Sequence, residues 1–174
     1  MKKILIVVAS VLVSVGTFGQ GTINFSNVGP GLNAPISKAD GTKLSGDKYK
    51  AELLVGSSAS SLTAVATSAF SSPASAAGLF LGGSVTLAGQ AGGTSPFIQV
   101  RAWDTTTGAT YAAATTKGAS TVFVLGAKLG DPSANPPTTP PALLGMTSFS
   151  LVPEPSVIAL ALLGGAALLM RRRK

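Results

Sequence analysis

The chain predicts an all-β fold, an antiparallel β-sandwich of Ig-like or jelly-roll-like kind. Short alternating runs are separated by Gly, Pro, Asn and Ser about every ten residues, the spacing of a sandwich and not of βαβ units. Between the two apolar ends no stretch carries a convincing amphipathic helical period, and no fixed-period repeat points to a propeller or solenoid. The chain of 174 residues has no cysteine, so packing alone must hold the body together.

Thr22 to Asn27 alternates, with Ile23 and Phe25 on one face and Thr22, Asn24 and Ser26 on the other. Gly29-Pro30-Gly31 breaks the chain, and Ala39-Asp40-Gly41 is a turn. Lys48 to Val55 is the next strand: Tyr49, Ala51, Leu53 and Val55 face in, Lys48, Lys50 and Glu52 face out. Ser61 to Phe70 is a weaker strand whose Ser-Leu-Thr-Ala-Val-Ala-Thr also suits a helix. Strands are expected at Gly78 to Leu87, Pro96 to Trp103 and Thr121 to Leu125, with Gly89 to Ser95 as a hairpin-type loop. Asp104 to Gly108 is polar turn chemistry leading toward a short strand around Tyr111. Asp131 to Pro141 holds five prolines and reads as an extended, semi-rigid loop, before a last strand in Leu143 to Leu151.

The formal charge of +7 belongs mostly to the ends. The body, residues 20–152, carries seven cations against five carboxylates, a net +2. Only Lys43, Lys48 and Lys50 approach a cluster, so no nucleic-acid partner is expected. About 130 residues suffice for one domain with a real core. Charged residues make up 11% of the chain; with many Ser, Thr, Ala and Gly this suits a surface or matrix protein and leaves partial disorder open.

Lys2-Lys3 followed by Ile4 to Val15 has the form of a signal peptide, residues 1–19, with cleavage expected between Gly19 and Gln20. An uncleaved anchor is the alternative, disfavoured because the run is short for a span. At the other end stand Pro153-Glu154-Pro155, an apolar stretch over residues 156–170 and the cations Arg171, Arg172, Arg173 and Lys174. As a helix the 15 apolar residues would reach about 22 Å, short against a hydrocarbon core of about 30 Å. Four cations resist translocation and act as a stop, so the body between the two signals is expected outside the cytoplasm. The two prolines lack N–H donors and hold Glu154 extended, the shape a processing enzyme takes into its cleft.

These last 22 residues resemble the sorting signal of the bacterial PEP-CTERM family. The resemblance implies recognition of Pro153, Glu154 and Pro155 by an exosortase, release or transfer at the cell surface, and association with exopolysaccharide. Gly21 to Asn27, Gly-Thr-Ile-Asn-Phe-Ser-Asn, resembles the opening of exported members of the same family. The alternative is an ordinary membrane anchor behind a chance Pro-Glu-Pro.

The body offers little chemistry. Without histidine or cysteine it has no imidazole base, no Ser-His-Asp triad, no thiol nucleophile and no zinc site built on them. Asp40, Asp47, Glu52, Asp104 and Asp131 remain as possible carboxylate pairs, but nearly all sit beside turn residues, where Asp is expected for local hydrogen bonding. No enzymatic activity, metal or cofactor is expected. The sharpest binding candidate is Phe97 to Trp103: with Ile98, Val100 and Ala102 in the core, Phe97, Gln99, Arg101 and Trp103 would form an aromatic and polar platform for sugar rings. The competing reading buries Phe97 and Trp103 and lets Arg101 snorkel between them.

Overall fold

The computed structural model describes residues 19–154. Residues 1–18 of the expected signal peptide, Pro155, the apolar stretch 156–170 and the terminal cations lie outside the described residues. Among the described residues no helix is long and apolar enough to cross a membrane.

The fold is all-β. Its strands are β1 (Gln20–Ser26), β2 (Val28–Gly29), β3 (Leu32–Asn33), β4 (Ser37–Lys38), β5 (Tyr49–Ser58), β6 (Ser61–Ala69), β7 (Leu81–Ala91), β8 (Phe97–Asp104), β9 (Thr116–Ala119), β10 (Phe123–Val124) and β11 (Ser150–Pro153). A seven-stranded sheet runs β4-β11-β9-β8-β5-β6, with β10 also on β8. β1 and β7 form a second, two-stranded sheet, and β2 and β3 a small third one.

The alternation read from the sequence sets the core. Ile23 and Phe25 of β1, Tyr49, Ala51, Leu53 and Val55 of β5, and Ile98, Val100 and Ala102 of β8 are buried in one cluster, joined by Leu87 of β7. Four aromatic rings thread through it. Phe25 meets Phe80 at 4.8 Å, Phe80 meets Phe70 at 5.7 Å, and Phe70 meets Tyr49 at 6.5 Å, all tilted or edge-on as ring quadrupoles prefer. The series links the two-stranded sheet to the large one.

Asn27, fully buried just after β1, fastens the same corner. Its Nδ2 donates to the carbonyls of Ala34 and Gly78, each at 2.8 Å, and its Oδ1 accepts the Phe80 N–H at 2.9 Å. Its own carbonyl accepts the Ala34 N–H at 3.0 Å. Gly78 turns toward this side chain with φ of 84°, a conformation that glycine adopts without a Cβ penalty.

The Ser61–Phe70 segment is the strand expected of it, because β5 offers it a full ladder, whereas several other elements differ from the sequence expectation. The pairing skips Val65 between Leu53 and Leu54, a bulge in the sheet's edge strand of the kind that blunts an open edge. Gly89 to Ser95 is not a hairpin loop: β7 pairs with β1 and β8 with β5, so this turn carries the chain from one sheet to the other. No strand forms around Tyr111, whose segment is turns, while β9 just after it was not foreseen. The Thr121–Leu125 strand shrinks to β10, and Leu143–Leu151 is irregular until Ser150. The large sheet is also not purely antiparallel, since β11 runs parallel to β4 and antiparallel to β9. No tight turn fixes the direction of β11, which returns to the sheet after a long excursion.

The proline-rich segment is the loop expected, and it lies along β1. Gly130 and Thr22 exchange backbone bonds of 2.9 Å, and Asn24 donates to Pro141 O at 2.8 Å, so prolines that cannot donate serve as acceptors.

Replacing Asn27 by Ala would strand the Ala34 carbonyl and the Phe80 N–H in the core, a loss of about 2–5 kcal/mol read from the urea midpoint. Asn27→Asp would place a carboxylate against two carbonyl oxygens, raising its folded-state pKa above the unfolded value. Its stability should therefore fall as pH rises through the ordinary carboxylate range and recover in acid.

Candidate binding groove

β8 splits the predicted platform from the predicted core as its pleat requires. Ile98, Val100 and Ala102 are fully buried on the inner side, so Phe97, Gln99, Arg101 and Trp103 stand on the outer one. They do not form one site. Gln99 donates its amide to Ser120 O at 3.0 Å, where the chain passes from β9 to β10. There Ser120 repairs the ladder, its Oγ accepting the Val100 N–H at 3.1 Å and its own N–H reaching Val100 O at 2.8 Å. Phe97 pairs with Gly56 and Val124 at the far end of the strand, about 20 Å from Trp103.

Trp103 is buried, as the competing reading has it and the platform reading does not. It is on the outer face yet only 4% exposed, because the chain after β8 folds back over it. Asp104 starts that return, its Oδ1 accepting the Thr106 N–H at 2.9 Å and hydroxyl at 2.6 Å. Tyr111 then stands edge-on to the indole, ring centroids 6.3 Å apart at 85°. Arg101 lies over the same tyrosine ring at 4.6 Å and Lys117 at 5.2 Å. The Arg101 Nε donates to Glu52 Oε2 at 2.5 Å, a cross-strand ion pair in register between β5 and β8.

These residues line a groove of about 440 Å³, floored by Lys50, Glu52, Arg101 and Trp103 and walled by Thr67 on one side and residues 109–112 on the other. Among the described residues, the Lys50 ammonium and the terminal nitrogens of Arg101 make no hydrogen bond or ion pair, and the Trp103 Nε1 is the buried side-chain polar atom left without a partner. Donors outnumber acceptors, so the groove suits an acceptor-rich ligand such as a hydroxylated or carboxylated ring. The indole N–H lies beneath the groove surface.

The carboxylates are occupied locally. Asp40 accepts the Thr42 N–H at 2.8 Å, which holds its carboxyl below the usual value. Asp131 accepts the Ser133 hydroxyl at 2.6 Å and N–H at 2.9 Å, with the same consequence. With Asp104 these form three Asx turns of the pattern Asp-x-Thr/Ser. Among the described residues no group of three acidic side chains converges as a metal site would require.

The motif residues are partly inside the fold. β11 runs one residue past the expected boundary at 152, with Pro153 paired to Thr116. Glu154 donates its N–H to Thr115 O at 2.7 Å, and its Oε1 meets Lys117 Nζ at 3.0 Å. At the other end Gln20 opens β1, and the Gly19 carbonyl accepts the Gly92 N–H at 3.0 Å. Tyr111 and Lys117 are the residues that sequence reasoning missed. The available signal was an isolated tyrosine, one of two in the chain, in a run of Ala and Thr three residues after Gly108.

Comparison with protein-family models, curated proteins and solved structures finds no match, so the chemistry of the groove rests on its own residues.

Tyr111→Ala should uncover the chain's single tryptophan and shift its fluorescence to longer wavelength with little change in the urea midpoint. Unchanged emission would mean that Tyr111 does not screen the indole.

Proposed function

We propose that this is a non-catalytic exported surface or extracellular-matrix protein, processed at Pro153-Glu154-Pro155 by an exosortase and associated with exopolysaccharide. One observation carries the reading: a Pro-Glu-Pro motif, an uncharged apolar stretch and four consecutive cations follow one another in that order. The basic and apolar segment ahead of Gln20 supports delivery through the Sec route and signal peptidase. The body itself is a sandwich of Ig-like or jelly-roll-like kind. What supports that class is the core shared by β1 and β7 on one side and β5 and β8 on the other.

Intact mass spectrometry of protein from the native host's surface and medium tests the sorting reading. The expected species starts at Gln20 and ends near the motif, and replacing Pro153, Glu154 and Pro155 together by alanine should leave a species that retains Lys174 in the membrane. A wild-type mass running through Lys174 would make the protein a plain membrane-anchored one.

A second reading is favoured by the groove: the body binds carbohydrate through Arg101 and Lys50 over Trp103, whose unpartnered indole N–H is buried beneath the floor. Affinity electrophoresis against the host's exopolysaccharide should retard the wild type and release Trp103→Ala and Arg101→Gln. Equal retardation of all three would remove the groove from the account.

A further inference from the structure

Resting on the sorting reading, we propose that Lys117 is a positioning residue for processing: with the edge of β9 it latches the first two residues of the motif onto the folded body, and the motif reaches its enzyme only when that latch opens. The contacts are consecutive along the chain. Val152 pairs with Lys117 and Pro153 with Thr116 in the β9–β11 ladder. The Glu154 N–H then donates to Thr115 O at 2.7 Å, and the Glu154 carboxylate meets the Lys117 ammonium at 3.0 Å. Pro153 lacks an N–H, so Glu154 is the first motif residue with a backbone donor, and that donor is taken. The carboxylate, the motif's one charged group, is taken as well. An enzyme that encloses the motif as an extended segment would contact these same backbone and side-chain groups, so latching and recognition exclude each other.

Lys117 is built to hold this position. Its side chain is 16% exposed against 56% for Glu154, and it is fixed from behind by the Ala112 carbonyl at 3.3 Å and the Tyr111 ring at 5.2 Å. The pre-ordered lysine therefore loses little freedom on pairing, whereas the glutamate is the more exposed half. Gly118 lets the β11 backbone approach, since a Cβ there would run into the Ser150 carbonyl. The body's fold thus sets how often the motif is presented.

The test uses the full chain in its native host, with pulse-chase of tail removal, and the purified protein for hydrogen exchange. Lys117→Ala should raise the exchange rate of the Glu154 amide and the processing rate together, by about two- to fivefold, the population change expected when a solvent-accessible ion pair is lost. Lys117→Glu should raise both further, and Lys117→Arg should restore both. The urea midpoint separates this from general loosening of the body, because unfolding would move it and latch opening would not. Faster Glu154 exchange with unchanged processing would overturn the proposal, as would equal processing of the Ala, Glu and Arg variants. Normal processing when the whole motif is replaced by alanine would instead overturn the sorting reading beneath it.

Discussion

The carboxamide of Asn27 is the interaction on which the packing of the β1–β7 sheet against the large sheet depends. The body has no disulfide to tie its sheets together, and the strands that meet at this corner are short or irregular. One side chain draws Ala34, Gly78 and Phe80 to a single point, with its own backbone carbonyl holding Ala34 from the other direction. Phe80 is thereby placed against Phe25 and Phe70, and the aromatic series can cross from one sheet to the other. A buried amide with all its bonds made specifies one arrangement, where apolar contacts alone would tolerate several. Hydrophobic burial supplies most of the driving force, and Asn27 selects the geometry in which it is realised.

The parts of the fold legible in the sequence are those governed by local alternation. Tyr49 to Val55 and Ile98 to Ala102 present their inward residues as the period of two demands, and the Asp-x-Thr/Ser turns follow from side chains that bond their own backbone. Pairing partners were not legible. Nothing in Gly89 to Ser95 distinguishes a hairpin from a crossing between sheets, because the choice is made by the partners, β1 and β5, far off in sequence. Ser61 to Phe70 has a composition suited to either state, and the ladder with β5 decides it.

The groove shows the same division. The face on which Arg101 and Trp103 stand was readable from alternation, whereas the cover over them was not. Tyr111 reaches the indole through a return loop whose path is set by turns after Asp104, and a lone tyrosine among alanines and threonines carries no periodicity to announce it. Gln99 was misjudged for a related reason: its amide completes the ladder at Ser120, a break that exists only once β9 and β10 are both on β8. Outward-facing polar residues on a strand can thus serve the sheet itself as readily as a ligand.

The position of β11 has a consequence for how the molecule is made. Between β4 and β9 it is an interior strand of the large sheet, yet it is the last strand of the body to emerge from a ribosome. Until it arrives, β4 and β9 lack the strand that joins them, and their pairing groups stay with solvent. The closing contacts also span the greatest sequence separation in the sheet, the slowest kind to form. Synthesis of the chain and completion of its large sheet are therefore coupled, and the body remains incompletely folded until almost all of it has been made.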